Sequence, residues 1–190
     1  MESAQTCTGL WRVSVLTKSA IVLSAGIFGL LVAWTNLTAY DINFRFVQHV
    51  LSMDALAPWA KVDALTQRAV TDPELQRLAY AAIILAEFLF GLICTVAGLL
   101  LFVAALRSDV PVLMRGKAAA LLGLGLGVLI WYFGFAVMGA EYFAMWASQW
   151  NGQTTAYLFA GFLLLTMVYV AQAEPGQTDR HQQGLTHGVD

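Results

Sequence analysis

Long stretches of this chain carry no charge, and they fix its class before any motif is considered. From Ser19 to Tyr40, between Lys18 and Asp41, no acid or base interrupts the run. From Leu78 to Leu106 only Glu87 does, and the segments between Lys117 and Glu141 and from Thr154 to Ala173 are uncharged. Each run holds about 20 residues or more, enough at about 1.5 Å rise per residue to cross a hydrocarbon core of roughly 30 Å. Surfaces this apolar are covered only by lipid or by other apolar helices. Composition agrees: hydrophobic residues make up 59% and charged residues 12%, about half the charged share of a globular chain.

The expected fold class is therefore all-α: a four-helix transmembrane bundle with a short interfacial amphipathic helix in the first outer loop. Residues 1–173 form a single transmembrane domain, with helices at about 16–40, 74–106, 113–141 and 154–173. Arg12 and Lys18 ahead of the first run suggest a signal peptide, but the run is longer than a usual signal core. Trp34 and other bulky residues occupy its exit, so a retained helix is the better reading. Asp72-Pro73-Glu74 reads as the start of the second helix: an N-cap, a proline in the first turn and an acid. Arg107, Ser108, Asp109 and Pro111 break it. The Gln-, Gly- and His-rich segment 174–190 is expected to be a disordered cytoplasmic tail.

Between the first two crossings, Asp41, Arg45, Gln48, His49 and Ser52 recur at helical spacing, with Phe46, Val47, Val50, Leu51 and Met53 on the other side. This pattern predicts an interfacial helix over about 42–54. Four crossings put both termini on one side, with Arg12, Lys18, Arg107, Arg115, Lys117 and Arg180. Arg45, Lys61, Arg68 and Arg77 accompany most of the acids on the other. The positive-inside rule then makes both termini cytoplasmic, in a plasma (inner) membrane. Trp34, Tyr40, Tyr80, Tyr142, Trp146, Trp150 and Tyr157 form an outer aromatic belt.

Small residues should bring the helices together, because lipid supplies little hydrophobic drive between them. Ala25, Gly29 and Ala33 mark a face of the first helix, and Gly91, Thr95 and Gly98 one of the second. Gly116, Ala120, Gly123, Gly127 and Gly134 mark one of the third. Gly123, Gly125 and Gly127 superficially resemble a nucleotide-binding glycine loop, but no strand precedes them. By helical spacing Asn36, Glu87 and Glu141 ride on these faces, toward the bundle interior and its outer half.

Glu87 is the most informative residue, since a carboxylate near the centre of a membrane helix costs about 2.5–3.5 kcal/mol on insertion scales. Three roles fit it: a protonated group bonded to a neighbouring helix, a ligand or cation site, and proton movement. Asn36, Asp41, Asn43, His49, Asp54, Glu87, Glu141, Trp146, Gln149, Asn151 and Gln153 are the candidate lining of one outward-facing polar pocket. The same amides, acids and indoles would equally fasten the outer loops to the helix ends.

Other chemistry is disfavoured. His49 is the only histidine outside the tail, so a bis-histidine haem within one chain is excluded. His49 with Asp41, Asp54, Glu87 and Glu141 matches no metal-ligand spacing. Ser52 near His49 makes no credible triad. Cys7 and Cys94 stand alone, which disfavours a redox motif and reads Cys94 as a buried structural thiol. No cofactor is implied. A net charge of −2 gives no reason to expect nucleic acid, which leaves the lipid bilayer and a membrane protein or a second copy as partners.

Two strings, NLTAYDINFRFVQHVLSMD over 36–54 and GAEYFAMWASQWNGQ over 139–153, resemble the signatures of a bacterial family of predicted small integral membrane proteins (domain of unknown function 2165). The resemblance spans the first helix to the fourth. Ala140 stands where the family more often has glycine, and Ala147 where a polar residue is more usual. The resemblance implies the four-helix fold and supplies no activity. Two function classes are carried forward: a non-enzymatic accessory or scaffold component, and a small transporter or ligand-binding protein with a pocket around Glu87 and Glu141. No inverted repeat is evident between the halves, which counts against a transporter acting alone.

Overall fold

The computed structural model describes residues 2–175, with side chains from position 9. Its helices are α1 (Glu2–Thr38), α2 (Tyr40–Ser52), a single turn α3 (Asp63–Thr66), α4 (Pro73–Arg107), α5 (Val110–Val128) and α6 (Gln153–Ala171). A π-helical stretch, Leu129–Tyr142, continues α5 without a break, and short 3₁₀ turns occupy Pro58–Ala60 and Met145–Ala147. Four spans are long and apolar enough to cross a membrane: Gly9–Thr38, Pro73–Arg107, Val110–Tyr142 and Gln153–Ala171. The fold is an all-α membrane bundle.

Local chemistry explains the boundaries. Asp72 accepts hydrogen bonds from the amides of Glu74 and Leu75, and Pro73 fills the first helical position, where a missing N–H costs nothing. Asp109 caps α5 in the same way, accepting from the Val112 amide at 3.0 Å. Pro111 therefore lies inside the first turn of the third span rather than in the connection ahead of it. Ser108, in the left-handed region at φ 53°, turns the chain between α4 and α5. Met53, at φ 52°, ends α2.

α4 is the middle of the bundle, packed against α1 on one side and α5 on the other, and α6 leans on α5 and its π-helical continuation. Phe90, Cys94, Ala97 and Leu101 are fully buried along α4, so Cys94 is the buried thiol expected. Backbone contact between α1 and α4 depends on glycine. A Cβ on Gly91 would fall 2.5 Å from the Leu30 amide nitrogen, and one on Gly26 equally close to that of Thr95. Gly123 and Gly127 meet Cys94 and Phe90 in the same intimate way. Phe28, Phe90, Trp131 and Phe159 then fill the centre, with ring centroids 4.9–5.6 Å apart.

The third span departs from the helical-wheel reading. In its π-helical part the amides bond five residues back, as Phe143 does to Met138 at 3.0 Å, so each turn holds more residues than an α-turn. Seven positions then no longer return to the same face. Gly134 and Glu141 are both exposed, rather than lying on the packing face and in the interior. A Cβ on Gly134 would meet only the Leu129 carbonyl oxygen, at 3.8 Å.

Candidate functional site

The two ends of the bundle carry different chemistry. At the end away from the termini, loops 53–72 and 143–152 fold over the helices as a cap. The Ala57 amide donates to the Ala147 carbonyl at 2.8 Å, and Leu56 bridges Ser148. The Val70 amide donates to Leu51 at 2.8 Å, and the Gln76 side chain donates to Val70 at 2.7 Å. Val50, Met53, Leu56, Phe143 and Met145 form a small apolar core beneath.

The eleven candidate residues divide among separate clusters. Asn36 on α1 donates its side-chain amide to the Glu87 carboxylate at 2.6 Å. The Tyr80 hydroxyl donates to the Asn36 backbone carbonyl at 3.0 Å. Glu87 is 3% exposed and Tyr80 is 1% exposed, so this network lies sealed between α1 and α4. His49 contacts Asp54 through Nδ1 at 2.9 Å and stacks on Trp150, with centroids 4.6 Å apart. Glu141 accepts from Gln153 at 3.4 Å, and the Gln153 amide donates to Asn151 at 3.0 Å. Asp54, Trp146 and Gln149 line a shallow cleft of about 540 Å³ with Trp59 and Lys61. Asn43 reaches the Thr35 carbonyl at 3.5 Å, while Asp41 stands exposed at the start of α2. Glu87 and Glu141 do not meet. Among the described residues, no three His, Cys, Asp or Glu side chains come together to hold a metal.

At the opposite end lies a charged cluster the sequence reading did not assemble. Glu174, 1% exposed, accepts from Lys18 at 2.6 Å, Lys117 at 3.1 Å and the Ser14 hydroxyl at 2.6 Å. Both lysines also donate to the Gln172 carbonyl, at 2.9 and 2.6 Å. Cations at the C-terminus of α6 thus satisfy the carbonyl of its cap residue, Gln172, and complement the helix dipole. Burial alone would raise the Glu174 carboxyl, but the hydrogen bonds from Lys18, Ser14 and Lys117 outweigh it and hold the group below its usual 4.5. The sequence signal existed: Lys18 and Lys117 bound apolar runs, and Glu174 is the first charge after the last one. Glu174, expected to open the tail, is instead packed into the bundle end. Residues 176–190, with Arg180, His181 and His187, lie outside the described residues.

The model of the family described as "Predicted small integral membrane protein (DUF2165)" matches residues 14–173. The chain belongs to this family. Neither a curated protein nor a solved structure matches it. The match takes in most of the first span, the other three spans and both cap loops, so the Asn36–Glu87 network and the cap lie inside the family's domain. The Glu174 carboxylate falls one residue beyond the matched region.

Proposed function

We propose that this member of the family is a non-catalytic component of the plasma membrane, an accessory or scaffold subunit whose rigid cap faces outward and whose termini are cytoplasmic. The Asn36–Glu87 hydrogen bond carries this reading. The one acid within the apolar part of the spans is used between two helices, and Tyr80 closes the network from the same side. A pocket shared by Glu87 and Glu141 finds no support in their positions, the first buried and the second exposed. The cap supports a docking role instead. Its loops are tied by their own hydrogen bonds, while Trp59, Ile42 and Trp146 stay exposed at 68%, 71% and 42%. Aromatic residues held on a rigid surface are the usual anchors of protein contacts. The cytoplasmic assignment of the termini rests on the excess of Arg12, Arg107, Arg115 and the two lysines at that end.

Purification of the full chain from its native membrane in mild detergents tests the proposal. A stoichiometric membrane protein, or a second copy, is expected to co-elute, and substitution of Trp59 and Trp146 by serine should release it. An isolated monomer under every mild condition would overturn the reading.

A further inference from the structure

Glu87 is buried in the seam between α1 and α4, and nothing of opposite charge meets it there. Among the described residues its one hydrogen-bond partner is the side chain of Asn36, a neutral amide. The bases that form ion pairs do so elsewhere: Lys18 and Lys117 with Glu174, Arg77 with Glu74, and His49 with Asp54. The first span from Ser19 to Tyr40 and the third between Lys117 and Glu141 bring no charge to the seam. Taking an ionised carboxylate out of water is compensated only by a cation or by several donors. The seam supplies neither.

Water is kept out as well. Tyr80 precedes Glu87 on α4 by about two turns, nearer the cap and on the same face. Its ring packs against those of Tyr40 and Phe44 on α2, with centroids 4.9 and 5.6 Å away, and these two stack on each other at 5.6 Å. The Tyr80 hydroxyl is tied to the Asn36 backbone carbonyl, which holds the ring in place. Ala33 and Ile84, both buried, belong to the same cluster. On the far side of Glu87, Phe90 is fully buried, and the backbones close up where a Cβ on Gly91 would fall 2.8 Å from the Gly29 carbonyl carbon. Three rings therefore plug the cap end of the seam, and the glycine contact closes the other end.

We propose that Glu87 is a proton-binding site, occupied as the neutral carboxylic acid in the folded chain, and that the plug of Tyr80, Tyr40 and Phe44 keeps its proton from exchanging with the water over the cap. A neutral Glu87 attracts neither a metal ion nor an organic cation, which separates it from a cation-transport site. Tyr80 is a positioning residue, acting on Glu87 by excluding water. The assignment holds whether or not the cap docks a partner.

The test is infrared spectroscopy of the full chain in phosphatidylcholine vesicles at neutral pH, in light and then heavy water. The carbonyl stretch of an undissociated carboxylic acid stands apart from the amide and carboxylate bands. It should be present in the wild type and absent from Glu87→Gln. In heavy water its deuteration shift should develop slowly, because exchange waits for a local opening of the seam. Tyr80→Ala should speed that shift about ten-fold or more, or remove the band by letting the group ionise. Tyr80→Phe keeps the ring and should exchange much as the wild type does. If Tyr80→Ala loses its helical circular dichroism, Phe44→Ala opens the same plug from α2. A wild-type spectrum without the acid band, or a band that survives in Glu87→Gln, would overturn the assignment of the proton. Exchange as slow in a folded alanine variant as in the wild type would overturn the role of the plug, and so would equal acceleration by Tyr80→Phe and Tyr80→Ala.

Discussion

Glu87 and Asn36 show how a single polar pair is placed in an apolar bundle. The carboxylate is shielded from lipid by the contact between α1 and α4, and that contact exists because Gly26, Gly29 and Gly91 lack side chains. Asn36 then supplies a donor at 2.6 Å, which removes the cost of an unpaired buried acceptor. Glu87→Gln keeps an acceptor for Asn36 and should leave unfolding in mixed micelles nearly unchanged. Glu87→Ala strands the Asn36 amide and should cost about 1–3 kcal/mol. Asn36→Ala should cost a similar amount, and the double variant less than the sum, because the two side chains act as one unit. Equal losses for Gln and Ala would mean the hydrogen bond contributes little. Glycine offers a second contrast at this scale. Gly91→Ala would press a methyl group to 2.5 Å from the Leu30 amide, whereas Gly161 has nothing within 4 Å of its missing Cβ. The first substitution should lower the thermal midpoint by several degrees and the second should not lower it, measured by circular dichroism in one detergent.

The third span and the end of α6 are where elements depart from what spacing alone predicts. Helix existence was legible because uncharged runs have no alternative in lipid, and the start of α4 was legible because Asp72-Pro73-Glu74 is a local signal. The π-helical stretch has no such signal: no proline or polar residue marks Leu129. Its register arises from packing, so the α-spacing that aligned Gly134 and Glu141 with the interior failed there. Spin labels scanned from position 120 to position 141 should show lipid accessibility repeating near 3.6 residues up to Val128 and at a longer period beyond it. One unbroken α-period would contradict the π-helix. The α6 terminus depends on Glu174, whose loss leaves two buried lysines with less compensation. Glu174→Ala should therefore destabilise the protein by about 3 kcal/mol. The Glu174 carboxyl is held below 4.5, so its contribution is fully present above that pH. It is lost only as pH falls below 4.5 through the lowered folded value. A stability profile that declines between pH 8 and pH 6 because of this residue would be inconsistent with that assignment.

As a whole, the molecule is polar at both ends and apolar between them, and the two ends differ in kind. One is a cap of two loops locked over a small core, and the other a compact charge cluster joining α1, α5 and α6. The crossings and the glycine contacts were readable from composition and helical spacing. The division of the candidate site into separate clusters was not, because residues such as Asp54 and Glu141 take their positions from loop folding and from the π-register. The central claim is that four crossings place residues 53–72 and 143–152 together on one side and the α4–α5 turn on the other. Labelling of intact cells with a membrane-impermeant maleimide, in a chain carrying Cys7→Ser and Cys94→Ala, tests it most directly. Trp59→Cys and Gln149→Cys should both be labelled from outside, and Ser108→Cys only after the membrane is opened. Labelling of Trp59→Cys and Gln149→Cys from opposite sides, or of Ser108→Cys together with them, would contradict the account.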